Sequence, residues 1–398
     1  MKTTFLSIFI LIFLLFPELG QAQKPLVSNK NFTLEFQYTG ELSVIKSTIE
    51  SYEPYRPYLK YVLTGFDAYR LVHKSKLNGK NIRLSGSILI PKGYDQKNQN
   101  VLVFCHGTQF DQNVASQWDS PIHIEALPAM NDRITFLPDY LGYGISSDKV
   151  PVYMNKHWTV QHLQEFITHG LKAMKKMKVP VSKKVDVVGF SQGGYAALAL
   201  AEYEASGNVL KFDLEHVVSI GGPTDINQNL GHILKQQEFP SSAYLTYLFG
   251  SYDHYFWRKG LSQVFSSPYD QLVADFKERK VSLSKLKQST PTLIPELIDS
   301  TFLKDFVNNK NHWMRSTFLD NSITPFNWYG SILVIHGTSD EDVPIAIAQD
   351  FFDQLKAINV NGEVQFYPLD GLDHITSGLL GITLALDSLG QPLGWGQK

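Results

Sequence analysis

The sequence predicts an α/β fold in which helices cover both faces of a mainly parallel sheet. Short apolar runs rich in β-branched residues alternate with helix-forming segments along most of the chain. Parallel strands need helical crossovers, so this alternation favours a buried, doubly covered sheet. One apolar run leads into a serine between glycines, Gly189-Phe190-Ser191-Gln192-Gly193, and a helix-forming segment follows it. The 398 residues suffice for a large core and an insertion.

Eight apolar runs are predicted as strands. An Asn78-Gly79 pair between the first two predicts a tight hairpin. A long amphipathic helix is predicted over residues 157–178, before Pro180. The predicted strands are Tyr69–Lys74, Ile82–Ile90, Val101–Cys105, Ile134–Leu137, Val185–Val188, His216–Ile220, Ser331–Ile335 and Val364–Tyr367.

Residues 224–326 interrupt this alternation, because they show several helical segments and no strand pattern. We interpret them as a helical cap inserted into a catalytic domain formed by residues 23–223 and 327–398. Residues 23–65 are predicted as an N-terminal arm that wraps this domain. Within the cap, Tyr244–Trp257 holds seven aromatic residues in fourteen positions. These aromatic side chains either line a substrate pocket or pack inside the cap.

The N-terminus is typical of a secretory signal peptide. Lys2 supplies a positive charge, Phe5–Phe16 is almost entirely apolar, and Gly20-Gln21-Ala22 offers small residues for cleavage. We expect residues 1–22 to be removed after Ala22 and the protein to be secreted or periplasmic. The apolar run is shorter than the ~20 residues that span a bilayer, so we expect no stable membrane span after cleavage.

Composition excludes some functions. Charged residues make up 19% of the chain and the formal net charge is −2, whereas a nucleic-acid-binding protein would carry a basic excess. The sequence shows no cluster with metal-ligand spacing and no phosphate-binding loop, so no metal and no cofactor are expected. Cys105 is the single cysteine, which leaves no intramolecular disulfide. We predict it to be a buried structural thiol.

The segment around Ser191 predicts a sharp turn that presents a nucleophile. In such a turn the strand and the helix nearly touch two residues before and two residues after the serine. Gly189 and Gly193 occupy these positions. The turn would also point the Gln192 N–H, at the positive end of the helix, toward a developing oxyanion. The alternative is a plain strand–turn–helix connection.

A serine hydroxyl becomes a useful nucleophile beside a histidine base that a carboxylate orients. Asp340 follows the strand Ser331–Ile335 and is the predicted acid. Asp342, which could cap a helix, and Asp225, after an earlier turn, are its rivals. His374 follows the last predicted strand and is the predicted base.

An oxyanion hole needs a second donor beside Gln192. The predicted donor is the backbone N–H of Thr108, with Gln109 as the next choice, because Gly107 lets the chain turn after a strand. A simple glycine turn is the alternative. His106 and His336 also end strands, but each precedes a glycine, so we interpret both as loop-shaping residues.

Over about residues 66–398 the chain resembles the α/β-hydrolase superfamily. The motifs that carry the resemblance are His106-Gly107-Thr108, Pro138-Asp139-Tyr140-Leu141-Gly142-Tyr143-Gly144, the Ser191 turn, His336-Gly337-Thr338-Ser339-Asp340 and Asp373-His374. The loop at 139–144, the insertion and the signal peptide are similar to those of secretory-lipase-type esterases and lipases. Unlike many secreted lipases, this chain can form no intramolecular disulfide.

The resemblance implies a catalytic triad of Ser191, His374 and Asp340 that hydrolyses carboxylic esters. The substrate would be a small-molecule, lipid or carbohydrate ester. A serine peptidase with the same triad is one alternative, and a non-catalytic binding protein on this fold is another. The acyl-chain length and the alcohol part of the substrate stay open.

Overall fold

The structure is a computed structural model that describes residues 25–94, 100–110 and 123–389. The predicted signal peptide, residues 1–22, lies outside these ranges. Within them, no helix combines the length and the apolar character needed to cross a bilayer.

The described strands form one ten-stranded sheet. They are β1 (Val27–Ser28), β2 (Phe32–Gly40), β3 (Phe66–Leu77), β4 (Lys80–Pro91), β5 (Val101–Cys105), β6 (Thr135–Pro138), β7 (Lys184–Phe190), β8 (Asp213–Ile220), β9 (Ser331–Gly337) and β10 (Glu363–Leu369). Their spatial order is β1-β2-β3-β4-β6-β5-β7-β8-β9-β10. The pairs from β1 to β4, and β4 with β6, are antiparallel. The six strands from β6 to β10 in this order are parallel, so their carboxyl ends meet at one edge.

The predicted α/β class is confirmed, and all eight predicted strands are present. The β3–β4 turn has positive φ at both Asn78 (49°) and Gly79 (77°), as a tight two-residue hairpin requires. The segment predicted as an arm contributes β1 and β2, which extend the sheet beyond β3. Apolar residues alternate with other residues along β2, and Phe32 and Leu34 are buried. This period of two is a strand signal.

Thirteen α-helices accompany the described strands. They are α1 (Leu42–Ser51), α2 (Leu127–Met130), α3 (Lys156–Met177), α4 (Gln192–Ala205), α5 (Ile226–Ile233), α6 (Ala243–Tyr252), α7 (Tyr269–Lys277), α8 (Leu283–Ser289), α9 (Ile294–Leu297), α10 (Ser300–Asn308), α11 (Met314–Asn321), α12 (Ile345–Ile358) and α13 (His374–Leu389). Helices α3, α4 and α12 pack on one face of the sheet, and α1, α2 and α13 on the other.

The strands are buried on both faces because their side chains point alternately to the two helix layers. In β5, Val101, Val103 and Cys105 join one apolar core, whereas Leu102 and Phe104 join the other. Cys105 is fully buried, and burial raises the pKa of its thiol to about 12. This environment keeps the thiol protonated and chemically inert.

Helices α5 to α11 lie between β8 and β9, within residues 224–326, the segment interpreted from the sequence as a cap. No strand is found in this part, all of which lies in the described ranges. The aromatic segment divides between the two roles considered for it. Tyr247, Phe249 and Tyr252 are fully buried in packing contacts, whereas Tyr244 lines a pocket that also contains Ser191.

Candidate active site

Ser191 lies at the tip of the turn between β7 and α4. Its φ of 53° is one that residues with a side chain rarely adopt, and its ψ is −118°. A Cβ added to Gly189 would lie 2.0 Å from the carbonyl oxygen of Gly193. A Cβ added to Gly193 would lie 1.8 Å from the carbonyl oxygen of Cys105. Only glycine therefore fits at the positions two residues before and two residues after this serine.

Three of the predicted residues meet above the carboxyl ends of the parallel strands. The Nε2 atom of His374 is 2.9 Å from Oγ of Ser191, and its Nδ1 atom is 2.7 Å from Oδ2 of Asp340. Ser191 follows β7, Asp340 follows β9, and His374 begins α13 after β10. Neighbouring parallel strands end side by side, so residues separated by up to 183 positions come into contact.

Electrostatics in this group favour a charged carboxylate and a basic ring. Burial raises the pKa of Asp340, but hydrogen bonds from His336, His374 and the Val343 N–H outweigh it and lower the pKa to about 2. Burial also favours the neutral form of His374. The hydrogen bond and negative charge of Asp340, with other nearby carboxylates, outweigh burial and raise the pKa of His374 above 6.5.

The rival acids occupy other places. The side chain of Asp225 accepts a hydrogen bond of 2.8 Å from the Gln228 N–H, so it caps α5. Asp342 lines the pocket beside Ser191, where burial raises the pKa of its carboxyl. Of the three candidates, Asp340 bonds the ring of His374.

The two predicted oxyanion donors are backbone N–H groups of Gln192 and Thr108. Gln192 is the first residue of α4, and the N–H groups of a first helical turn have no acceptor within the helix. For the Thr108 N–H, no hydrogen-bond acceptor is found in residues 25–94, 100–110 and 123–389.

The histidines predicted to shape loops both bond backbone carbonyl groups. Nδ1 of His106 is 2.7 Å from the Gly107 oxygen, and Nε2 of His336 is 2.7 Å from the Val343 oxygen. His336 also lies 3.3 Å from Oδ2 of Asp340, so its ring supports the acid.

A pocket opens beside Ser191, between helices α5 and α6 and the carboxyl ends of the parallel strands. The volume of this cavity is about 60 Å³. Its walls are mainly apolar and come from α5, α6 and the loops before α3 and α12. The lining residues are Tyr153, Met154, Ser191, Pro223, Ile226, Asn229, Leu230, Ile233, Phe239, Tyr244, Leu245, Leu248, Asp342, Val343 and His374.

One group of metal-ligand residue types occurs among the described residues, and sequence reasoning missed it. Asp186, Glu215 and His216 lie close together, about 16 Å along β7 from Ser191. The Asn100 amide donates to both carboxylates, at 3.1 and 3.0 Å, and Nδ1 of His216 is 2.7 Å from Asp186. These contacts already satisfy the group, so we interpret it as a structural network between strands.

Comparisons with known proteins agree with this architecture. The model of the alpha/beta hydrolase family matches residues 102–379. No curated protein sequence shows significant similarity to the chain. A Legionella pneumophila protein described as a hydrolase superposes with a TM-score of 0.80 at 18% identity, covering 92% of this chain and 99% of that one.

Two further solved structures are similar. The rice cell wall degrading esterase LipA from Xanthomonas oryzae has a TM-score of 0.72 and 19% identity, with 89% of this chain and 95% of that chain covered. Candida antarctica lipase A has a TM-score of 0.63 and 11% identity, with 90% and 82% covered. At these identities the likeness concerns the fold.

Proposed function

Because the chain belongs to the alpha/beta hydrolase family, we propose that it is a secreted serine hydrolase that cleaves carboxylic esters. The observation that carries the proposal is the hydrogen-bonded series from Ser191 through His374 to Asp340, with distances of 2.9 and 2.7 Å. The esterase and lipase among the structural neighbours support ester cleavage as the reaction.

In the proposed mechanism, Ser191 Oγ attacks the ester carbonyl carbon while Nε2 of His374 takes its proton. Asp340 accepts the Nδ1–H of His374, which leaves Nε2 free as the base and stabilises the ring once it is charged. The N–H groups of Gln192 and Thr108 bind the oxyanion of the tetrahedral intermediate. His374 then returns the proton to the departing alcohol. A water molecule, activated by the same ring, releases the acid from Ser191.

The pocket supports a substrate with a short apolar group beside the reacting carbon. The space beside Ser191 is small, about 60 Å³, and its walls are mainly apolar. Helices α5 and α6 supply most of the apolar wall, which supports residues 224–326 as a cap over the site. p-Nitrophenyl butyrate is therefore a suitable test substrate.

The test is the Ser191→Ala variant with this ester. We expect kcat to fall by at least about 10³-fold, because the variant keeps the fold but loses the nucleophile. A fluorophosphonate should label the wild type and leave the variant unlabelled. Asp225→Asn is the control, since asparagine also caps a helix and this side chain lies outside the triad. Retained turnover in Ser191→Ala would contradict the mechanism.

Secretion is tested separately. N-terminal sequencing of the mature protein from culture medium or periplasm should begin at Gln23. Recovery of an uncleaved chain from the cytoplasm would contradict it.

A further inference from the structure

The orientation of the Thr108 N–H depends on the peptide bond that joins it to Gly107. A trans peptide is planar, and its N–H points opposite to its carbonyl oxygen. The Gly107 oxygen accepts a hydrogen bond of 2.7 Å from Nδ1 of His106, a buried ring whose pKa burial lowers. Holding this carbonyl therefore fixes the direction of the Thr108 N–H.

Tyrosine hydroxyls hold the rest of this segment, residues 106–109, which we call the oxyanion loop. Each of three tyrosines that follow β6 bonds a different residue of the loop. The contacts are Tyr140 OH to the His106 oxygen at 3.1 Å, Thr108 Oγ1 to Tyr153 OH at 3.0 Å, and Tyr143 OH to the Gln109 oxygen at 2.8 Å. The sequence motif at 138–144 thus supplies two of the supports.

Cap helix α6 reaches the loop through one of these tyrosines. The hydroxyls of Tyr143 and Tyr247 are 2.7 Å apart, and both side chains are fully buried. Tyr143 has one hydroxyl proton and donates it to Gln109, so Tyr247 is the donor to Tyr143. The rings of Tyr247 and Tyr153 also stack, with centroids 4.4 Å apart. Helix α6 therefore contacts two of the three supports.

We propose that Tyr143 and Tyr247 are positioning residues, through which cap helix α6 holds the oxyanion loop in the geometry that binds the transition state. Neither residue lines the pocket beside Ser191. Each acts through the backbone that carries the Thr108 N–H. The inference rests on the proposed ester hydrolysis, and in particular on Thr108 as an oxyanion donor. It gives the insertion a role in catalysis beyond covering the site.

Three tyrosine-to-phenylalanine variants test this, since each removes a single oxygen. Tyr143→Phe should lower kcat for p-nitrophenyl butyrate about tenfold, less than the 10²–10³ of losing an oxyanion donor outright. Tyr247→Phe, one hydrogen bond further away, should lower it about threefold. KM should stay within about twofold in both, because the effect appears in the transition state.

Tyr195→Phe is the matched control. Tyr195 is also fully buried and also donates a 2.8 Å hydrogen bond to a backbone carbonyl, that of Asn321. We expect a loss of melting temperature similar to that of Tyr143→Phe, with kcat within about twofold of the wild type. A purely structural role for Tyr143 would instead lower stability and leave kcat unaffected.

A second readout separates the transition state from the ground state. A trifluoromethyl ketone forms a tetrahedral adduct with a catalytic serine and places an oxyanion in the hole, whereas the amide analogue of the substrate binds without reacting. Tyr143→Phe should weaken binding of the ketone by the same factor by which it lowers kcat, and it should leave binding of the amide unchanged. If the wild type hydrolyses the ester and Tyr143→Phe has the same kcat, this inference is wrong and the proposed function stands. A wild type without ester turnover would overturn the proposed function itself.

Discussion

Histidines in two regions of the molecule have pKa values that are shifted in opposite directions. His374 lies at the carboxyl ends of the parallel strands, and its pKa is raised. His73, His162 and His169 lie between β3 and α3, where burial lowers their pKa values to about 3, 4 and 4. The rings of His73 and His169 are 5.3 Å apart.

The difference between the two groups comes from the neighbouring charges. Burial is the largest influence in both, and it favours the neutral ring. His374 faces three carboxylates, and their charges outweigh burial. His169 is near Lys172 and Lys211, and His73 is near His169, so in both cases a neighbouring positive charge adds to the effect of burial. A buried histidine is thus poised as a base only where carboxylates accompany it.

The largest expected effect comes from removing the carboxylate that distinguishes His374. Asp340→Asn should lower kcat for ester hydrolysis by about 10⁴-fold, because an amide can neither fix the ring tautomer nor stabilise its charged form. The measurement is the steady-state rate with p-nitrophenyl butyrate.

Asp225→Asn provides the control for this variant, since Asp225 caps α5 and was a rival for the acid. Its rate should stay within about twofold of the wild type. Equal losses in the two variants would contradict the assignment of Asp340 as the partner of His374.

The second prediction concerns the histidines that lack carboxylate partners. Their folded pKa values lie below the unfolded value of 6.5, so between about pH 6.5 and 4 the unfolded chain binds more protons. These rings impose no penalty on the folded state above pH 6.5, and the free energy of unfolding decreases as the pH falls through this window. His73 alone can change the free energy of unfolding by at most about 1.4 kcal/mol per pH unit. Urea unfolding at pH 7 and pH 5 measures it.

Replacing one of these rings should weaken the dependence of the free energy of unfolding on pH. His73→Leu should make the difference in unfolding free energy between pH 7 and pH 5 smaller, because it removes a site that only the unfolded chain protonates. His232→Gln changes an exposed histidine on α5 and serves as the control. A difference that is unchanged in His73→Leu would count against this explanation.

Much of the sheet and of the site could be predicted because their signals are local. Apolar runs predicted the central strands, and strand-end motifs identified the three residues that the structure brings together. The arm was predicted without its strands β1 and β2, although alternation along β2 carries a strand signal. The tyrosine contacts with the oxyanion loop could not be predicted, because no strand-end motif marks Tyr247 and the packing of helix α6 alone brings it to Tyr143.

The smallest expected effect concerns the pKa of His374. Asp342 is one of the carboxylates that raise the pKa of this ring. The value of kcat/KM should fall as the pH drops through the His374 pKa, since the protonated ring cannot act as a base. In Asp342→Asn one negative charge is lost, so the midpoint of this acidic limb should move to lower pH by less than about one unit. Glu341→Gln changes the adjacent, exposed carboxylate and should leave the midpoint in place. A midpoint that stays fixed or rises in Asp342→Asn would mean that Asp340 sets the basicity of His374 without help from its neighbour.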